Sequence, residues 1–278
     1  MRTDFGEHWQ HQGLAKYTMT NATPLSRPRA ALPAVALAGT VVAIVAALVL
    51  YGPIAQPDNY HAFADTRTWL GLPFAADLLS NLAFLVVGIL GVRVAIGLSP
   101  TLPARAAWLA FFAGVVVTAF GSAYYHWAPD DAGLAIDRLP IAWACAWLTC
   151  ALLAERLDAR FGHPAALVAG FVVASLSVLL WYRGAVAGAG DLRAYLFVQF
   201  LPVLLIPLTL ALLRGGVLTA GDWLGAIALY LVAKGFELHD GDVLMATGIV
   251  SGHTVKHLLA AGAGLWLAWR LAVRRRLT

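Results

Sequence analysis

Apolar residues in this chain gather into runs of about 20, separated by short polar stretches. A helical run of that length matches the hydrocarbon thickness of a bilayer. Eight such segments are predicted, near 31–51, 77–98, 104–126, 138–156, 164–182, 193–213, 222–239 and 251–271. The seventh is the least apolar, because Lys234 and Glu237 fall inside it. No repeat or low-complexity block stands out, so one membrane domain is expected. The pattern predicts an all-α fold, a polytopic membrane helix bundle. Residues 1–30 form a polar leader, expected to be a flexible cytoplasmic tail, and residues 272–278 a basic tail. Segment 31–51 could instead be a signal sequence, but its apolar core is long for one and its polar leader unusually extended. A retained transmembrane helix is expected there.

Composition agrees. Hydrophobic residues make up 60% of the 278 positions and charged residues 12%, about half the charged share of a soluble domain. The formal net charge of +4 is modest, and the arginines lie near the termini or in short loops. That distribution fits membrane orientation better than a nucleic-acid interface. The two cysteines, Cys145 and Cys150, fall in one apolar segment, facing directions that disfavour a disulfide. No CxxC is present, which excludes a thiolate zinc site.

Short-loop Lys and Arg set orientation. Arg27 and Arg29 precede the first segment, and Arg274, Arg275 and Arg276 follow the last. An even number of spans then places both termini in the cytoplasm. The 127–137 and 237–250 connections are acidic, which does not conflict with an outer location. On this topology Ser122 and His126 end an outward-running helix. Asp137, His253 and His257 begin inward-running ones, and Ser80 and Asn81 share their level. Polar residues scattered at random would not converge on one depth, and ionisable groups inside a bilayer are functional candidates by default.

The spacing carries chemistry. His253 and His257 form an HxxxH pair. Residues four apart share a helix face about 6 Å apart along the axis, so both imidazoles can reach one ion. A catalytic zinc takes three protein ligands and keeps a position open, and His126 is the natural third. Thr254 stands where the HExxH motif needs Glu, so the general base comes from elsewhere, and Asp137 is the candidate. The bland alternative is a set of hydrogen-bonded structural histidines, since an HxxxH pair alone is common. The other polar residues have ordinary readings. Asp130 and Asp131 read as a solvated turn, and Glu237 as a partner of Lys234 in preference to a cavity-lining residue. Arg183, Asp191 and Arg193 read as a charged outer loop, and the tryptophans as packing and interface anchors. His8, His11 and His163 fall on the cytoplasmic side. His61 and His239 are on the site's side but outside any pattern.

At these positions the chain resembles the CREST superfamily of membrane hydrolases, which includes alkaline ceramidases and adiponectin-type receptors. The stretches that carry the resemblance are Asp77-Leu-Leu-Ser80-Asn81-Leu-Ala-Phe84, Gly121-Ser122-Ala-Tyr-Tyr-His126, Asp137-Arg-Leu-Pro140 and Ser251-Gly-His253-Thr-Val-Lys-His257. They are most similar to the bacterial alkaline-ceramidase-like branch, which implies a bacterial inner membrane. The resemblance implies a seven-helix CREST-type core over 77–271, with 31–51 as an extra N-terminal helix. It implies that His126, His253 and His257 bind zinc and that Asp137 holds and deprotonates the metal's water. Ser122 would hydrogen-bond that water or the oxyanion, with Ser80 and Asn81 in support. Eukaryotic members also carry an acidic calcium-binding stretch. Here that region reads Asp58-Asn-Tyr-His-Ala-Phe-Ala-Asp65 and does not match ligand for ligand, so calcium stays uncertain.

The expectation is a zinc-dependent hydrolase acting on a membrane lipid partner. It would cleave the amide of ceramide or another N-acylated lipid, releasing fatty acid and a free amine such as a sphingoid base, with the site near the outer face. The alternative is a zinc-containing seven-helix receptor without turnover. Three His with an open position argue against it, because structural zinc sites are closed by four protein ligands. A b-type cytochrome needs axial ligands on opposite faces of the iron, which two His on one helix face do not supply. A proton-coupled transporter needs polar groups through the whole depth. Acyl length, amide against ester, and oligomeric state are not legible.

Overall fold

The structure is a computed structural model that describes residues 27–275. Most of the expected polar leader, with Arg2, Lys16, His8 and His11, lies outside the described residues, as does Arg276. The described residues are all-helical: α1 (Arg27–Tyr51), α2 (Ala75–Ser80), α3 (Leu82–Ile96), α4 (Arg105–Trp127), α5 (Asp131–Arg156), α6 (Pro164–Val186), α7 (Arg193–Leu212), α8 (Ala220–Leu238), α9 (Asp240–Thr247) and α10 (Gly252–Arg274). A short 3-10 turn, Ala159–Gly162, joins α5 to α6. Six spans are long and apolar enough to cross a membrane: α1, α2 with α3 together, α4, α5, α6 and α7. Helices α8 and α10 are as long as a span but carry charges. In α10, Lys256 and the two histidines dilute the apolar run.

The predicted boundaries need three corrections. The segment placed at 77–98 begins at Ala75 and breaks at Asn81. Asn81 Nδ2 donates to the carbonyls of Asp77 (2.9 Å) and Leu78 (3.2 Å), competing with backbone amides for them. The segment placed at 138–156 begins at Asp131, so Asp137 stands inside α5 rather than opening it. Asp130, read as a solvated turn, is the N-cap, accepting the Gly133 amide at 2.6 Å. Asp131 accepts from Gln56 Nε2 and His61 Nε2, both at 3.2 Å. The acidic 237–250 connection contains the unforeseen helix α9.

The core lies between α3, α4, α5, α7, α8 and α10. At its centre Trp108 stacks on Trp223 (5.4 Å) and Phe112 (6.1 Å), and all three are fully buried. Helix α8 starts in a capping box. Thr219 and Asp222 exchange backbone and side-chain bonds, and the Asp222 carboxylate also receives Arg270 of α10 at 2.5 Å. Helix α1 is different, with little of its span buried. It packs on α7, where Arg193 donates to the carbonyl of Leu48. Cys145 and Cys150 are both unpaired, as expected.

One end of the bundle collects the start of α2, the end of α4 and the starts of α5, α7 and α10. The 52–74 connection closes over it. Ile54 bonds Asp191 and Leu192, and Ala64 donates to Asp240. Asp65 is buried and takes two side-chain bonds from Arg67, which also reaches the carbonyl of Ile249. Those bonds hold the Asp65 carboxyl below the usual carboxylate range, and Arg193 does the same for Asp191. Leu70 and Phe74 adopt positive φ, a costly conformation for bulky residues, which indicates a connection held tightly in place.

Candidate metal centre

His126 occupies the last turn of α4, and His253 and His257 successive turns at the start of α10. The ring centroids of His126 lie 4.9 Å from His253 and 5.0 Å from His257, and those two are 4.8 Å apart. One nitrogen from each ring lies within 4.8 Å of the others, and all three residues are buried. This group could hold a metal ion. Tetrahedral nitrogen ligands at zinc distances are roughly 3.4 Å apart, so the rings must draw in by about 1 Å, a small side-chain rotation. The fit has independent support. Among the described residues neither nitrogen of His126 has a hydrogen-bond partner, although buried polar atoms are nearly always satisfied.

The supporting bonds determine how the rings present themselves. Ser80 Oγ donates to the carbonyl of Asp77 at 2.7 Å, so its lone pairs face His257 Nδ1, also at 2.7 Å. His257 therefore donates Nδ1–H to Ser80, which leaves Nε2 bare as a ligand. Asp77 accepts from Ser251 Oγ (3.1 Å) and Thr254 Oγ1 (2.5 Å), and Ser251 in turn caps the Thr254 amide. Asp240 takes the His253 backbone N–H at 2.7 Å. Two carboxylates thus sit at the start of α10, where free N–H groups and the helix dipole favour negative charge. Gly252 is required there. A Cβ would come within 2.2 Å of the Phe236 carbonyl.

Above the imidazoles, Phe63 covers the cluster, 4.5 Å from His126 and 4.8 Å from His253 between ring centroids. It is wedged by Phe74 and Tyr125. His61 also has a place, contacting Tyr125 Oη and Asp131. Neither His239, exposed and paired with Asp242, nor His163, before α6, reaches the cluster.

Lys256 was not anticipated. Its Nζ lies 2.9 Å from His253 Nε2 and 3.2 Å from Glu237 Oε1. Glu237 also pairs with Lys234, as expected from their spacing. With Nε2 engaged, a metal would take Nδ1 of His253 or displace Lys256.

Ser122 and Asp137 are both buried where α4 packs on α5. Gly121 permits that approach, since a Cβ would lie 2.7 Å from the Ile136 carbonyl. That carbonyl lacks its usual helical partner because Pro140 has no N–H. Ser122, Asp137 and His257 line one cavity of about 190 Å³. Its polar end also holds Lys234, Glu237 and Lys256, and apolar residues such as Val115, Leu148, Ile206, Trp223 and Leu267 line the rest. Ser80 and Asn81 are buried beside the cluster, Ser80 against His257 and Asn81 through the Asp77 carbonyl.

Asp58, Asp65 and Asp77 form no second metal-competent group among the described residues. Asp65 is taken by Arg67 and Asp77 by α10. The supporting residues Asp77, Ser251, Thr254 and Asp240 had one sequence signal, a Ser-x-x-Thr cap at the start of the last helix. Phe63 had none. No protein-family model matches the chain, and no curated protein matches it.

Proposed function

We propose that this chain is a zinc-dependent intramembrane hydrolase that cleaves the amide bond of an N-acylated lipid, ceramide or ceramide-like. The products are a fatty acid and a free amine such as a sphingoid base. One observation carries the reading: three buried imidazoles meet, and one of them, His257, lines an apolar-walled cavity together with an aspartate and a serine. Three ligands leave a coordination position open, as catalytic zinc sites do.

His126, His253 and His257 would hold the ion. Zinc supplies Lewis acidity and makes water acidic enough to ionise near neutral pH. Asp137 takes the proton of the attacking water and delivers it to the departing amine nitrogen, so the carboxylate ends the cycle as it began. The Ser122 hydroxyl donates to the carbonyl oxygen as negative charge develops there, a contact often worth about 3 kcal/mol. Phe63 excludes bulk water from above, and the apolar walls take the acyl chain.

We read the fold as the seven-helix core of the CREST resemblance: α2 with α3, then α4, α5, α6, α7, α8 and α10. The little-buried α1 stands outside it. Arg93, Arg105, Arg156, Arg214 and Arg274 gather at the end away from the imidazoles, while Asp131, Asp191, Asp240 and Asp242 lie at the imidazole end. That asymmetry supports cytoplasmic termini and a site near the outer, periplasmic face of a bacterial inner membrane.

The test is metal analysis of the purified protein beside a His253→Ala, His257→Ala double variant, with fatty-acid release from N-acyl lipids. We expect about one zinc per chain, lost in the variant together with turnover. Equal metal in both, or turnover without metal, refutes the reading.

A further inference from the structure

The proposed hydrolysis gives no task to Arg138, a buried cation. Arg138 follows Asp137 on α5 and is only 3% exposed. Its guanidinium carbon lies 4.1 Å from the ring centroid of Trp181 on α6, 4.8 Å from that of Tyr195 on α7 and 5.0 Å from that of Tyr60 in the 52–74 connection. Cation–π contacts of this kind offset part of the cost of burying the charge. They engage the rings' faces and leave the N–H edges unused. Among the described residues, Nε and Nη1 have no hydrogen-bond partner. It lines the cavity with Tyr60, Tyr195 and Gln199.

The charges in that cavity are uneven. Arg138, Lys234 and Lys256 line it against Asp137 and Glu237, and both lysines are committed to Glu237. A planar guanidinium, held by aromatic walls with its donor edge free, matches two oxygens of one carboxylate or phosphate.

We propose that Arg138, with Tyr60 and Tyr195, forms an anion subsite for an oxyanion carried by the amine half of the lipid substrate. This rests on the amide-hydrolase reading and narrows its substrate class from N-acylated lipids in general to acidic ones, setting aside ceramide itself, whose amine half carries no anion. Arg138 neighbours the proton carrier Asp137, whereas the apolar lining that suits an acyl chain extends toward Ile206, Trp223 and Leu267. The preferred substrate is therefore an acidic N-acyl lipid, such as an N-acyl amino acid, rather than one with a neutral headgroup.

The test uses the purified full chain in neutral detergent, stripped of metal so that a carboxylate cannot bind the ion instead. N-dodecanoylglycine and its neutral methyl ester are titrated calorimetrically into wild type, Arg138→Gln and Arg138→Lys. Wild type should bind the acid about tenfold more tightly than the ester, as expected for a charge-assisted pair. Arg138→Gln should bind both alike, and Arg138→Lys should recover part of the preference. Equal wild-type binding of acid and ester overturns the subsite and needs no variant to fold. So does a preference that persists in Arg138→Gln. Inorganic phosphate is titrated alone. Tight, Arg138-dependent phosphate binding would assign the subsite to a soluble anion and overturn the lipid assignment. Fatty-acid release by the zinc-loaded protein is measured separately. Its absence for both compounds would refute the hydrolase reading, while the calorimetry still decides the anion preference.

Discussion

Ser80 never touches the ion in the proposed site, yet replacing it should weaken zinc binding. Its hydroxyl proton goes to the Asp77 carbonyl, and its lone pair takes Nδ1–H of His257, both at 2.7 Å. Ser80→Ala removes the acceptor. In the metal-free protein His257 can then move its proton to the other nitrogen and lose little. With metal on Nε2 that escape is closed, and a buried Nδ1–H is left unsatisfied at a cost of about 1–3 kcal/mol. Loss of such an outer partner typically lowers metal affinity 10–100-fold, or about 1.4–2.7 kcal/mol. The assay is competition for zinc against a chelator of known affinity, with Ser80→Thr as a control that keeps the hydroxyl. Chemical shifts of the His257 ring nitrogens report the tautomer. Unchanged zinc affinity in Ser80→Ala, with the protein folded, would refute the assignment of Nε2 as the ligand atom.

Three further outcomes are expected. Asp137→Asn should retain zinc but lose turnover by about 10²–10⁴-fold, the usual contribution of a positioned acid–base group; fatty-acid release measured beside metal content checks this. Gly252→Ala should lower thermal stability by about 1–3 kcal/mol, because the new Cβ meets the Phe236 carbonyl, which no side-chain rotation can clear. It should also weaken zinc binding by displacing His253; zinc affinity like that of wild type would count against the close contact. Asp65 should make part of the stability acid-labile. Its carboxyl is held below its ordinary value near 3.8 in the folded state, so its contribution is present above that value and fades as pH falls through the lower, folded one. Asp65→Asn should be less stable than wild type at pH 7, with the gap closing in melts below pH 4.

The periodic parts of this protein were legible in the chain itself. Runs of apolar residues defined α1, α4, α6 and α7 nearly to their ends, because the hydrocarbon thickness leaves little freedom in span length. Four-residue spacing placed His253 and His257 on one face, and that relation survives any packing. Charged and polar residues weakened the same signal for α8 and α10, because they lower the hydropathy that marks a span.

Contacts between distant segments were decided only by the fold. His126 met the other two imidazoles because the end of α4 and the start of α10 lie at the same level. The Ser80 bond that selects a tautomer, the Asp77 and Asp240 carboxylates at α10, and Phe63 over the rings all join residues more than 60 positions apart, except Asp240 with His253. The aromatic box around Arg138 draws on three separate elements. Local periodicity reports which face a residue occupies on its own helix. What that face meets depends on how helices pack, and no single segment carries that information.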